Sequence, residues 1–180
     1  MPWITAKTTA AAPIAVASMV GTASAGAAGS STMKASGPDQ AWIEEAARID
    51  LAEIGAGKLA TKQATNGTVK TLGTRLMNAH SKSITKDEAV TKKPGAKMPT
   101  APTAKQNAVA KELESKKGSE FDSAYPAAEV NGHVEAIKGA KLEIQNGSDA
   151  AVIAMAKTDL KMYEMHLKWA RAAEGAGGAK

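Results

Sequence analysis

Read for the spacing of its apolar positions, the chain resolves into four long helical stripes and no convincing run of alternating residues. The first begins near Asp39, after Ser36-Gly37-Pro38, and carries Trp42, Ala46, Ile49, Glu53, Ala56 and Ala60 at alternating steps of four and three. Asn66-Gly67 marks a turn. A second stripe of Val69, Leu72, Leu76, His80 and Ile84 then runs within about 68–92. Pro94-Gly95, Pro99 and Pro102 punctuate a connection, which a short lysine-rich amphipathic segment over 104–117 extends to Gly118. The third helix is predicted over about 119–145. Ser119 and Asp122 fit an S-x-x-D helix start there, and Val130, His133, Ile137, Ala140 and Ile144 share one face. Pro126 either kinks its opening turns or marks where regular helix begins. Asn146-Gly147 is a second turn, and the fourth helix runs from Ser148-Asp149 to Gly175. Its stripe reads Val152, Met155, Asp159, Met162, His166 and Trp169, flanked by Ile153, Leu160, Tyr163 and Leu167. Two tight turns and one long crossover, between helices two and three, predict an all-α, ferritin-like four-helix bundle.

Polar residues interrupt every stripe. Glu53 stands on the first, His80 on the second, His133 on the third and His166 on the fourth, with Asp159 two turns before His166. A carboxylate on a buried stripe needs a proton, a hydrogen-bond partner or a cation. Each of the four principal residues lies about 12–18 residues into its helix, so a rise of about 1.5 Å per residue puts them in one layer near the middle. Two readings follow. Glu53, His80, His133 and His166, with Asp159 as an additional candidate, form a mononuclear Zn, Fe or Cu site; or they form a His–Glu–Tyr hydrogen-bond network that fixes helix register without an ion. Met155, Met162 and Met165 read as core filler, and Tyr125 and Tyr163 as packed rings with bonded hydroxyls. The Glu-x-x-His pairs of di-iron bundles are missing, because Met77, Val130 and Tyr163 stand three residues before the histidines. Nucleophile-elbow, P-loop, dinucleotide and H-E-x-x-H patterns are missing too. No catalytic residue is therefore predicted; the enzymatic alternative would use Glu53 as a general base beside a metal-bound water.

Composition narrows the class further. A chain of 180 residues makes one ordinary domain, and with 3% aromatic residues its core must rest on Leu, Ile, Val and Met. The net charge of +5 is carried by lysines scattered among acids, without an arginine-rich run or an aromatic platform, so no nucleic-acid partner is expected. Lys82, Lys86, Lys92, Lys93, Lys97, Lys116 and Lys117 leave open an alternative role as a basic surface that contacts anionic envelope components. Cysteine is absent, which removes disulfides and thiolate metal sites. Lys7, the mildly apolar run 10–20 and Ala23-Ser24-Ala25 read as a signal peptide over 1–25. A flexible leader over 26–38, a helical domain over 39–174 and a tail over 175–180 follow. No run of about 18 apolar residues occurs, so no transmembrane segment is expected. The reading is of an exported protein, periplasmic or envelope-associated.

Between Asp39 and Arg171 the chain resembles a bacterial exported family catalogued as domain of unknown function four-one-four-two. The resemblance rests on Leu51-Ala52-Glu53 with Gly57-Lys58-Leu59-Ala60, and on Met77-x-x-His80. It rests also on Gly118-x-x-Phe121-Asp122-x-x-Tyr125 followed by His133, and on His166-Leu167. It implies a signal peptide, a ferritin-like four-helix bundle and a polar interior from Glu53, His80, His133 and His166, with no established activity. The family is often labelled an outer membrane protein, yet the alternating strands of a membrane barrel have no counterpart here. Three departures stand out. Ala79 occupies the place of a usual Asp, Leu160-Lys161 replaces a usual Leu-Pro, and Asp50 stands where glycine is common.

Overall fold

The structure, a computed structural model, describes residues 37–91 and 98–177. They form five helices: α1 (Gly37–Gln63), α2 (Gly67–Thr91), α3 (Ala104–Glu114), α4 (Ser119–Asn146) and α5 (Ala150–Gly177). Among the described residues there is no strand. The chain is all-α, but the crossover contains a helix of its own where only an amphipathic segment was expected. A capping box starts it: Thr103 Oγ1 accepts from the Gln106 amide at 3.1 Å, while Gln106 Oε1 accepts from the Thr103 amide at 2.7 Å. Leu113, buried on its inner face, holds it to the core. The predicted signal peptide, most of the leader, the last three residues of the tail, Pro94-Gly95 and Lys92, Lys93 and Lys97 lie outside the described residues.

α1 pairs with α2 and α4 with α5; the two hairpins meet through α2 against α5 and α1 against α4, with α3 laid on α1 and α4. Their ends are tied by the same device. Asp39, in the first turn of α1, accepts from the Ser148 amide (2.9 Å), the Ser148 hydroxyl (2.7 Å) and the Asp149 amide (3.0 Å) in the turn between α4 and α5. Asp122, in the first turn of α4, accepts from the Thr65 amide (3.0 Å), the Thr65 hydroxyl and the Asn66 amide (2.9 Å) in the turn between α1 and α2. One carboxylate thus satisfies donors that a tight turn would otherwise bury unpaired. Asp39 and Asp122 are separated by the same interval as Thr65 and Ser148, and as Asn66 and Asp149, so each hairpin clamps the other in a repeated frame. The predicted S-x-x-D start of α4 is corrected by this arrangement. Gly118, at φ 56°, is the N-cap, no side chain caps the helix, and Asp122 is committed to the opposite turn. Pro126 lies inside a helix that is already regular from Ser119.

Two apolar clusters fill the ends. One contains Trp42, Ile43, Ile49, Val152 and Met155; the other contains Val69, Leu72, Leu76, Leu113, Phe121 and Tyr125. Near the second, α1 and α2 approach through glycine. A Cβ on Gly57 would stand 2.6 Å from the Gly73 carbonyl oxygen and 2.7 Å from Met77 Cβ. Neither atom can swing aside. Gly57→Val should therefore cost about 3 kcal/mol by overpacking, lowering Tm by about 10 °C in a circular-dichroism melt. Gly55→Ala, with nothing within 4 Å, should instead raise Tm slightly through helix propensity. An unchanged melt for Gly57→Val would contradict the close packing.

Candidate metal centre

Helical spacing delivers the interior polar groups in sets. Asp50 and Glu53 lie one turn apart on α1; His80, Ser83 and Asp87 share a face of α2; Tyr125, Glu129 and His133 share one on α4; Asp159, Tyr163 and His166 share one on α5. All are buried except Glu53, which retains 12% side-chain exposure.

The three histidines meet at the centre. Ring centroids are 5.0 Å apart for His80 and His166, 5.3 Å for His133 and His166, and 5.9 Å for His80 and His133. One ring nitrogen of each can be chosen so that all three lie within 4.8 Å of one another. His80 Nδ1 is 2.7 Å from Asp50 Oδ1, and His133 Nδ1 donates to the Glu129 carbonyl oxygen at 2.8 Å. These bonds orient both rings and direct their Nε2 atoms away from the supporting oxygens, as in carboxylate–histidine–metal arrangements. His133 Nε2 stands 3.3 Å from His166 Nδ1. Two nitrogens bound at about 2.0–2.1 Å to one tetrahedral ion are about 3.3–3.4 Å apart, so the spacing suits a shared ion as well as a hydrogen bond. His80 Nε2 and His166 Nε2 are buried without a hydrogen-bond partner.

Burial governs the charge of these groups. It drives the His80 imidazolium pKa down to about 3, helped by His133, and lowers that of His166 as well, helped by His80 and His133. Both rings are neutral at physiological pH. Burial also raises the carboxyls: Asp50 and Asp159 to about 8, Glu53 and Asp87 to about 7, and Glu129 well above the ordinary range. Neighbouring acids add to the effect at Glu53, Asp87, Glu129 and Asp159. Without an ion the centre is close to uncharged. A cation would find neutral imidazoles backed by carboxyls able to release protons and balance its charge.

The chain matches a family described as a domain of unknown function, DUF4142, over residues 23–173, a span that includes every residue of this centre. The chain belongs to the DUF4142 family. Among solved structures, the DUF4142 chain is similar to a DUF305 protein from Streptomyces coelicolor, described as a candidate secreted protein. That match has 11% identity and a TM-score of 0.67, covering 79% of this chain and 94% of that one. A DUF305 fragment from Deinococcus radiodurans aligns at 11% identity and TM-score 0.69, covering 81% and 99% of the two chains. CopM in its Cu(I)-bound form aligns at 13% identity and TM-score 0.63, covering 78% and 98%. At these identities the likeness is one of fold. None of the curated proteins matches the chain in sequence.

In this DUF4142 chain, His80, His133 and His166 come together. Glu53 lies beside them in a second group with Glu129 and His133, its Oε1 4.0 Å from His133 Nδ1. Asp159 stands instead in the field of Asp50 and Asp87, outside both groups. Sequence reasoning missed three partners. Asp50, noted only as a departure from the family pattern, orients His80 from another helix, where Ala79 offers no carboxylate. Glu129 and Asp87 escaped because apolar periodicity counts a carboxylate as surface. The signal that could have found them is their spacing, Glu129 one turn before His133 and Asp87 two turns after His80. The Tyr163 hydroxyl is buried without a hydrogen-bond partner, and that of Tyr125 lies against the Glu129 carboxyl. No helix among the described residues is long and apolar enough to cross a membrane.

Proposed function

We propose that this DUF4142 protein is an exported, non-catalytic metal-binding protein that holds one Cu(II) or Zn(II) ion between His80, His133 and His166. The observation that carries this reading is the meeting of three buried imidazoles from three helices, two of them with a ring nitrogen that has no protein partner. A buried nitrogen left unpaired costs about 1–3 kcal/mol, and an ion would remove that cost at the atom it binds. Neutral imidazole with oxygen donors nearby and no thiolate suits Cu(II) and Zn(II) among the biological divalent ions. Glu53 and Glu129 supply compensating charge, and Asp50 fixes the ring of His80. CopM, a fold relative, has been solved with Cu(I) and with Cu(II), which supports metal handling as the role. Export rests on the N-terminal signal reading and on a fold neighbour described as a candidate secreted protein. The four long helices are taken as a four-helix bundle with a ferritin-like crossover, α3 being an insertion in that crossover.

The test is metal content. Protein purified without a histidine tag and incubated with Cu(II) or Zn(II) should retain about one ion per chain after desalting, and His133→Ala/His166→Ala should retain none. A parent chain that stays metal-free after exposure to both ions would leave the histidines as a structural network.

A further inference from the structure

The route by which an ion reaches this buried centre can be read from what surrounds it. Between α2 and α5 lies a cleft of about 320 Å³ lined by Thr68, Arg75 and Trp169. It is unsuited to a cation. The Arg75 guanidinium lies 5.2 Å over the Trp169 ring, and that ring in turn stacks on His166 at 5.3 Å, so a positive charge and an indole stand in front of the imidazole. The seam between α1 and α4 has the opposite character. Glu53 is the one polar residue of the centre that keeps contact with solvent, at 12% side-chain exposure. Next to it α4 presents Gly132, an exposed residue whose missing Cβ would stand 3.8 Å from Glu53 Oε1 and within 4 Å of nothing else. The gap therefore lies over Oε1 of the carboxyl, while Oε2 is buried.

Behind Glu53 the donors continue inward. Its carboxyl hydrogen-bonds that of Glu129, whose Oε2 is 3.6 Å from His133 Nδ1. The fully buried Tyr125 hydroxyl lies against the Glu129 carboxyl and in the field of Glu53. His133 Nδ1 keeps its hydrogen for the Glu129 carbonyl, so these oxygens flank the imidazole while its other nitrogen faces His166. Oxygen donors thus run from solvent to one side of the His133 ring, and nitrogen donors begin on the other.

Building on the proposed function, we infer that the Glu53–Glu129 carboxyl pair, reached through the partly exposed Glu53 side chain beneath the gap at Gly132, is a port that binds a divalent cation transiently and passes it to the three-histidine centre. Exchange of a few water ligands for carboxylate oxygens, followed by imidazole nitrogens, lets the ion dehydrate stepwise rather than at once.

Stopped-flow mixing of the full chain with Cu(II) tests the port. A Cu(II) ion at His166 quenches Trp169, whose ring is stacked on that imidazole. Gly132→Leu covers the Glu53 carboxyl at an exposed helical position where leucine favours the helix more than glycine, so the fold is kept. Quenching should slow about tenfold or more in Gly132→Leu, and less in Gly132→Ala, with the same final stoichiometry. Glu53→Gln, which removes an oxygen able to become a carboxylate ligand, should slow the parental rate by about tenfold. Loading of Gly132→Leu at the parental rate, in a parent that binds the ion, overturns the port alone. A parent that takes up no ion overturns the proposed function with it.

Discussion

Replacing His166 with leucine should leave the metal-free protein within about 1 kcal/mol of the parent and abolish the stabilisation that a metal ion brings. His166 Nε2 is a buried nitrogen without a partner, and its loss relieves that defect. The loss of the His166 Nδ1 contact leaves His133 Nε2 unpaired in its place, while a leucine of similar volume gains apolar contact with Trp169. These effects offset one another. The metal response behaves differently, because an ion bound only by the folded state adds about 2.7 kcal/mol at a hundredfold excess over Kd and about 4.1 kcal/mol at a thousandfold excess. At about 3 °C per kcal/mol for a chain of this size, the parent should gain about 8–12 °C in Tm with saturating Cu(II) or Zn(II), and His166→Leu about none. Differential scanning fluorimetry with and without the ion reads both numbers. If the histidines were a register-fixing network, the variant would melt well below the parent and neither protein would respond to metal.

What the sequence disclosed depended on how each residue type is weighted in a periodic pattern. The helices were legible because alanine, leucine and methionine recur at steps of three and four between Asn-Gly turns, and the three histidines were conspicuous on those stripes. Glu53 was legible for the same reason. Glu129 and Asp87 were not, since an acid on a helix is ordinarily a solvated residue; only the packing of α4 on α1 and of α2 on α5 turns those positions inward. The roles of Asp39 and Asp122 were hidden more deeply. Each serves a turn far from it in the chain, Ser148-Asp149 and Thr65-Asn66 respectively, and local spacing carries no trace of a bond across so many residues. Asp50 is intermediate, since it was visible as a departure from the family pattern, while its purpose appears only when α1 lies against α2 and meets His80.

The second large effect concerns pH. Asp50 and Asp159 titrate at about 8 in the fold, and Glu53 and Asp87 at about 7, all because burial disfavours their charged forms, whereas ordinary carboxyls titrate near 4. Between those values the folded chain holds protons that the unfolded chain has released. Stability from these groups is therefore fully present below about pH 4 and is lost as pH rises through about 7–8. His80 and His166 act in the other direction, because their folded pKa values are lowered: their contribution is complete above about 6.5 and is lost on acidification. Each group counts about 1.4 kcal/mol for every pH unit across which folded and unfolded states differ by one proton, and four carboxyls outweigh two imidazoles. From pH 5.5 to pH 8 the metal-free protein should lose about 7 kcal/mol, or about 20 °C in Tm. Metal reverses the slope, since an ion at the three histidines favours the ionised carboxyls that the empty interior resists. The increment in Tm produced by Cu(II) or Zn(II) should accordingly grow over the same interval as protons are released. Melts across this range, in chelator and in excess ion, decide the matter. A flat metal-free profile would mean that the buried carboxyls are already ionised, and with it would fall the view of a neutral interior that becomes charged only around its ion.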